Sequence, residues 1–312
     1  MPVIAVIILN WNDAEAAICC AGSVLCASQN ATPLQVEVKL YLVDNGSHDK
    51  DADTLRNWCD SQHTNQVAPL VANQSNLGFG AGMNAGIASA KESNPEYFLI
   101  LNNDLELSAE AISHLLAFSA AHSRIVATGL TILESSTGRV QAAGGYRYYP
   151  WLGYSRPLLG GATLEQVKTA TIQMPSYLAG AAMWLTGDFV RRIGGLPTDH
   201  FLYFEELEIM QRLLPGEHIG VCVDATVTHR GGGSATTPEL QERAAYFAAL
   251  SAFNYTWRYH KVCLASVVAA RIIGVGARSL AKRQPKLLLA VITALVDFAC
   301  SKITQRPDNR EV

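Results

Sequence analysis

The sequence predicts an α/β fold: a mostly parallel central sheet with helices on both faces. Three observations predict it. Strand-like and helix-like segments alternate through the first 135 residues. The first run, residues 3–9, is continuously apolar and rich in β-branched side chains, as a strand covered on both faces must be. Polar clusters then follow the first, second and fourth strand-like runs, where an open parallel sheet binds its ligands.

The elements follow in order. After the strand at 3–9, residues 14–26 read as a helix. A second strand at 36–43 ends in the turn signal Asp44-Asn45-Gly46-Ser47, and 51–59 is helical. A short third strand covers 66–72, followed by a helix at 80–91. A fourth strand at 97–101 leads to a helix at 108–121 with Ser108 offering an N-cap, and a fifth strand covers 125–133. Such alternation implies parallel pairing. The pattern changes at Gly138. Residues 144–161 are rich in Gly, Tyr and Pro and read as a loop with short strands. A strand is expected at 177–185, helices at 187–193 and 204–214, and a strand at 219–223. A long helix over 237–260 starts with Thr237 and Pro238, a favoured opening pair. Two basic amphipathic helices close the chain, at 262–280 and 285–304.

Composition narrows the function. The 312 residues are 49% hydrophobic and 16% charged, which excludes global disorder. A net charge of −3 argues against a nucleic-acid partner. The charge is uneven. From Arg258 onward ten basic residues face three acidic ones, a surplus of +7 that leaves −10 on the rest. That asymmetry suggests a basic appendage meeting an anionic surface. Seven cysteines without a C-x-x-C spacing read as reduced thiols in a cytoplasmic protein. The N-terminus lacks a basic n-region and reads as a strand rather than a signal peptide. The apolar run at 287–296 is too short to span a membrane.

Chemistry gathers at the strand ends. Asn10-Trp11-Asn12-Asp13, Asp44-Asn45-Gly46-Ser47 and Asn102-Asn103-Asp104 would share one rim. Ordinary loop solvation would also make them polar. Asp104, beside amide side chains, suits a hard divalent cation that also carries substrate phosphates; capping the next helix is the alternative. Gly78-Phe79-Gly80-Ala81-Gly82 opens a helix, but its spacing departs from G-x-G-x-x-G. Close helix–sheet packing and approach to a nucleotide explain it equally. In Phe204-Glu205-Glu206-Leu207-Glu208, acids open a helix, which the helix dipole alone would favour. Aromatic neighbours can also desolvate one carboxylate and make it a general base. Glu206 points about 100° away from the face shared by Glu205 and Glu208. His229 precedes Arg230 and the Gly231–Gly233 triplet, and either a structural hydrogen bond or an anion contact fits it.

Together these segments resemble the inverting family-2 glycosyltransferases of the GT-A fold, especially the bacterial rhamnosyltransferase-like branch. The matching stretches are VIILNWN, LVDNGSHD, NQSNLGFGAGMNAGI, FLILNNDLEL, the segment 179–213 and VTHRGGGS, in family order over residues 3–235. The resemblance implies a GT-A domain over residues 1–236, with a nucleotide-sugar half at 1–135 and an acceptor half at 136–236, and a basic helical extension at 237–312. It implies nucleotide contacts from Asn10, Trp11, Asp44, Asn76, Gly78 and Asn103. It places Mg²⁺ or Mn²⁺ on Asp104, with Asn102 and His229 beside it, and the base at Glu206, with Glu205 as its rival. Asn102 departs from the family's usual Asp, and Glu206 is one methylene longer than the usual Asp.

The implied reaction moves a sugar from a nucleotide-diphosphate donor, dTDP-rhamnose being one candidate, to a glycan or lipid-linked acceptor in polysaccharide or cell-envelope synthesis. The Tyr- and Trp-rich segment at 144–161 would line the acceptor side, where aromatic faces suit sugar rings; loop anchoring is the alternative. The basic C-terminal helices allow peripheral attachment to the cytoplasmic face of a membrane, or a homodimer contact. A sugar-phosphate nucleotidyltransferase is the rival enzyme, although the first strand end lacks the basic residue such enzymes carry there. A catalytically decayed nucleotide-sugar-binding protein is the non-enzyme alternative.

Overall fold

The computed structural model describes residues 1–172, 174–230 and 237–304. In chain order the elements are β1 (Val3–Asn10), α1 (Ala14–Ala31), β2 (Glu37–Asp44), α2 (Asp49–Ser61), β3 (Val71–Ala72), α3 (Phe79–Ser89), β4 (Tyr97–Asn102) and β5 (Leu105–Leu107). Then follow α4 (Ala111–Ala121), β6 (Ile125–Glu134), β7 (Val140–Ala143), β8 (Gly145–Tyr149), β9 (Tyr154–Pro157) and α5 (Leu164–Thr169). The remainder is β10 (Tyr177–Leu178), β11 (Ala182–Thr186), α6 (Gly187–Ile193), α7 (Glu205–Met210), β12 (His218–His229), α8 (Pro238–Tyr259), α9 (Leu264–Lys282) and α10 (Pro285–Thr304).

The large sheet runs β3-β2-β1-β4-β11-β6-β12-β5, with β7 paired to β6. The pairs β1–β2 and β1–β4 are parallel, as the strand–helix alternation predicts. The strand β11 lies antiparallel between β4 and β6, and β5 antiparallel on β12, so the sheet is mixed. A second sheet has the order β10-β8-β9.

The strand β1 is buried on both faces, which explains its continuous apolar run. Ile4, Val6 and Ile8 pack with α1, α2 and α4 through Val24, Leu55 and Leu115. Ala5 and Ile7 pack with α3, α6 and α7 through Met83, Phe189 and Ile209. The glycines of α3 serve this packing. A Cβ on Gly86 would fall 2.5 Å from the Ile7 side chain, and one on Gly82 would fall 2.7 Å from that of Leu9.

The sequence expectations fail where strands are short. Ser108 does not cap a helix: α4 starts at Ala111, and the Glu110 position makes no side-chain cap bond. Leu105 and Leu107 are buried around a half-exposed Glu106, a period-two pattern three residues long that forms β5. The strand expected at 177–185 is two strands in different sheets, broken at residues 179–181. The helix expected at 204–214 is only six residues long, and Tyr203 and Phe204 before it hold φ of 69° and 74°. Such values are rare for aromatic residues and cost about 1–3 kcal/mol each. The third strand shrinks to Val71–Ala72 plus an isolated Leu40–Val67 bridge.

The chain forms two compact units. One comprises Met1–Arg147, Arg156–Asp199 and Glu205–Gly231, and contains the large sheet. The other comprises Tyr148–Ser155, His200–Phe204 and Gly232–Val312, and contains α8, α9 and α10. The start of α8 matches expectation: the Thr237 hydroxyl accepts from the Leu240 N–H at 3.3 Å, and Pro238 follows it. All seven cysteines are free; Cys20, Cys59, Cys222 and Cys263 are buried.

One glycine in the first unit makes a stability prediction. A Cβ on Gly129 of β6 would sit 1.9 Å from the Gly144 carbonyl oxygen. Backbone cannot yield as a flexible side chain does, so Gly129→Ala is expected to cost about 3 kcal/mol. A urea melt of the variant checks this; an unshifted midpoint would show that β6 and the Gly144 turn separate freely.

Candidate functional site

The carboxyl ends of β1, β2 and β4 meet, because Asn10 is in register with Asp44 and Leu9 with Asn102. The first polar network follows from that register. The Asn10 Nδ2 donates to Asp44 Oδ1 at 3.4 Å and to Ser47 Oγ at 3.2 Å. Asn103 Nδ2 donates to Asn10 Oδ1 at 3.0 Å and to the Asp13 carbonyl at 3.3 Å. Asp44 is 2% exposed, and its Oδ2 accepts from the Ser47 N–H at 3.1 Å. Asn10, Asp44 and Asn103 therefore form one hydrogen-bonded rim, with Asn10 and Asp44 buried and Asn103 half-buried. Trp11 sits partly exposed at its edge. Asp13 is not part of it through its side chain, which accepts from the Ala16 N–H and caps α1.

A second network joins the β2 end to the glycine turn. Asn45 Nδ2 donates to Asn76 Oδ1 and to the Gly78 carbonyl, each at 3.1 Å. Asn45 Oδ1 accepts from Asn73 Nδ2 at 3.0 Å and from the Leu77 N–H at 3.2 Å. Gly78 precedes α3 with φ of 85°, a conformation that favours glycine. Asn45 is thus the amide that holds Asn76 and Gly78 against the first rim, a role the turn signal alone did not indicate.

The third group lies beyond β4. Asp104 Oδ2 pairs with His229 Nε2 at 2.8 Å, and His229 Nδ1 lies 2.8 Å from Gln141 Oε1. Both ring nitrogens face oxygen acceptors, and the hydrogen bond to Asp104 raises the His229 pKa above its ordinary value. The other carboxylate oxygen, Asp104 Oδ1, is buried with no hydrogen-bond partner among the described residues. A buried, orphaned carboxylate oxygen beside an imidazole is a donor set that fits a divalent cation sharing substrate phosphates. Among the described residues, no three His, Cys, Asp or Glu side chains gather to hold a metal. Asn102 enters the described hydrogen bonds only through its backbone, donating to the Ala181 carbonyl at 2.9 Å and accepting from Cys20 Sγ. Gln141 carried no sequence signal. The Gly231–Gly233 triplet lies outside the described residues.

The acidic helix α7 supplies the fourth group. Glu205 and Glu208 are each 1% exposed, while Glu206 is partly exposed. Glu206 rests against the backbone at the strand break: a Cβ on Gly180 would fall 1.7 Å from its Oε1. Residue 181, next along, bonds the backbone of Asn102. Glu206 and Asp104 therefore flank the same end of the β4–β11 pair. Burial pushes the Glu206 carboxyl up to about 7. Burial, and then the neighbouring Glu206 charge, hold Glu205 well above the usual carboxylate range. Glu205 Oε1 is buried without a partner among the described residues. Burial and the neighbouring charge thus favour the neutral form of Glu205. Tyr146, stacked on Tyr177 with centroids 5.3 Å apart, is also raised, first by burial and then by the Glu206 charge.

The remaining aromatic residues of 144–161 divide. Trp151 and Tyr154 are 62% and 55% exposed, while the Trp151 carbonyl accepts from Ser266 Oγ at 2.7 Å, an anchor to α9. A separate cavity of about 600 Å³ opens beside the start of β4, lined by Asn84, Lys91, Pro95, Phe98 and Arg191 among others. It contains none of the expected site residues.

The model of the family described as "Glycosyl transferase family 2" matches residues 7–169, just over half of the chain. The chain belongs to glycosyltransferase family 2. The match ends before Glu205, Glu206 and His229, so their roles stand on geometry. The low-salt glycan biosynthesis hexosyltransferase Agl10 of Haloferax volcanii is 28% identical over 182 residues, covering 56% of this chain and 52% of that protein. The chain therefore spans about half the length of this curated relative. In fold, the chain is similar to the mannosyltransferase PcManGT from Pyrobaculum calidifontis, solved in complex with GDP-Man and Mn²⁺. That similarity has a TM-score of 0.57, 13% identity, and coverage of 96% of this chain and 87% of that one. It is also similar to S. aureus TarS 1–349 in complex with UDP, with a TM-score of 0.52, 13% identity, and coverage of 100% and 94%. These neighbours establish the GT-A arrangement of the sheet and its surrounding helices.

Proposed function

We propose that the chain is an inverting glycosyltransferase of the rhamnosyltransferase-like branch, acting on a nucleotide-diphosphate sugar such as dTDP-rhamnose. The acceptor would be a hydroxyl of a glycan or lipid-linked sugar, in the cytoplasm or at its membrane face. One observation carries the reading: the Glu206 carboxylate, resting against Gly180, lies at the same strand end as an aspartate whose buried oxygen has no partner among the described residues. Family membership, and nucleotide sugars bound to structurally similar proteins, support it.

The chain's residues divide the work. Asp44, with the Asn10 and Asn103 amides fixed around it, lines the nucleoside pocket, and the Asn76–Gly78 turn borders it. Asp104 and His229 would hold Mg²⁺ or Mn²⁺. Such an ion supplies Lewis-acid neutralisation of the diphosphate leaving group. Glu206 accepts the proton of the acceptor hydroxyl, whose oxygen attacks the anomeric carbon as the diphosphate departs from the opposite face. One displacement with one base inverts that centre and needs no protein nucleophile. Burial favours the neutral form of Glu205 beside it.

Release of free nucleotide from a donor panel, with and without Mn²⁺ and with acceptor glycans, tests the reading. Release from a single donor is expected. Nucleotide binding without turnover on any donor–acceptor pair would favour a binding protein.

The Gly180 contact gives a sharper check. In Gly180→Ala the added Cβ displaces the Glu206 carboxylate without removing it. A base misplaced by about 1 Å is expected to lose about a hundredfold in kcat, with the donor KM little changed. Unchanged kcat in a folded variant would detach Glu206 from the chemistry.

A further inference from the structure

The C-terminal unit carries an exposed apolar surface that its own packing leaves uncovered. On α9, Val262 just before the helix, Ile273 and Leu280 are 82%, 71% and 85% exposed. Ala265, Ala269 and Ala277 are exposed as well, so an apolar stripe runs at three- and four-residue spacing along one helix face. The helix α10 repeats the pattern with Leu289, Val296 and Ile303, which are 60%, 54% and 69% exposed. The residues Lys261–Lys282 reach a mean hydropathy of 1.6 over an 18-residue window, of which only 17% is buried. By length and composition that segment could cross a membrane. The apolar run at 287–296, which the sequence reading found too short to span, is not long and apolar enough for that.

Two features favour lying on a membrane over crossing it. The opposite face of α9 is committed to protein: Val267 and Ser279 are buried, and the Arg271 guanidinium donates to the Gly153 carbonyl at 2.8 Å. A spanning helix would instead need apolar surroundings on every side. The charges also cluster at the ends of the stripe, with Lys261 at one end and Arg278, Lys282, Arg283 and Lys286 at the other. Solitary exposed apolar residues need no explanation, but a continuous stripe rimmed by basic side chains does.

We propose that α9 and α10 form an interfacial surface that binds anionic lipid, with the Ile273–Leu280 stripe entering the headgroup boundary and the basic rim meeting lipid phosphates. Charge selects this occupant. The region from Arg258 onward carries a surplus of +7, so two copies meeting through it would repel, whereas an anionic bilayer attracts it.

Sedimentation of the full chain with vesicles tests the proposal. The chain is expected to bind vesicles of phosphatidylcholine with phosphatidylglycerol at low salt, to bind pure phosphatidylcholine weakly, and to be released by high salt. Each of Lys282→Glu and Lys286→Glu should weaken binding by about fivefold or more. Ile273→Asp should abolish it. These positions are solvent-exposed, and circular dichroism verifies that the variants fold. No binding at low salt, or equal binding to both vesicle types, overturns the proposal. So does a dimer that Ile273→Asp dissociates in the absence of vesicle binding. Retention in the vesicles after alkaline carbonate would mean that α9 spans the bilayer, and would equally overturn it.

Discussion

Glu206→Gln is expected to lower the transfer rate by about a hundred- to ten-thousand-fold while nucleotide binding persists. The amide keeps the shape of the carboxylate and its fit against Gly180, but it cannot accept the acceptor's proton. Binding survives because the Asn10, Asp44 and Asn103 rim does not involve α7. Isothermal titration with nucleotide and a single-turnover assay separate the two quantities. Glu205→Gln distinguishes the rivals. Burial and the Glu206 charge favour the neutral form of Glu205, which the amide imitates, so a far smaller loss is expected. If instead Glu205→Gln is the inactive variant, the base assignment moves to Glu205.

The pH dependence follows from the same pair. A base that titrates at about 7 must be ionised to act, so kcat/KM should rise with pH through about 7 and then level off. Stability moves the other way. The native state holds the Glu206 proton more tightly than the unfolded chain, whose carboxyl titrates near 4.5. The stabilisation from that proton is complete below pH 4.5 and is lost as pH climbs toward 7. Glu206→Gln should flatten this part of the stability profile.

The part of the fold that was legible is the part where burial is uniform. Ile4 to Ile8 are fully buried on both sheet faces, so β1 needs apolar residues at every position and announces itself. The β5 strand has three residues, and β10 and β11 are separated by a break at Ala179–Ala181, too short for periodicity to register. The start of α7 follows left-handed backbone at Tyr203 and Phe204, which no aromatic residue signals. At the site, the strand-end asparagines and aspartates were legible because sheet register alone aligns them. Gln141 and Gly180 were not, since each matters only through a contact 88 or 26 residues away in sequence, with His229 and Glu206. The amphipathic character of α9 was legible, but only the fold shows that the Arg271 guanidinium is turned toward the Gly153 carbonyl.

Asp104→Ala should be the second severe variant, and its loss should differ in kind. Glu206 handles a proton, whereas Asp104 offers a buried carboxylate oxygen, beside an imidazole, with no partner among the described residues. If that oxygen holds the cation, the alanine variant loses Mn²⁺-dependent stabilisation by nucleoside diphosphate, which a thermal shift reads without any turnover. Wild type should show a larger shift with diphosphate and Mn²⁺ together than with either alone; the variant should show the diphosphate shift only. Turnover should fall by about a hundredfold or more, because the leaving group then departs without its charge neutralised. The substitution also frees His229, so Gln141→Ala serves as the control. It releases the far side of the same ring and leaves Asp104 intact. Were the metal-linked shift to survive in Asp104→Ala and vanish in Gln141→Ala, His229 rather than Asp104 would be the principal ligand. Loss in Asp104→Ala alone fixes the cation on the aspartate at the end of β4, beside the strand break against which Glu206 rests.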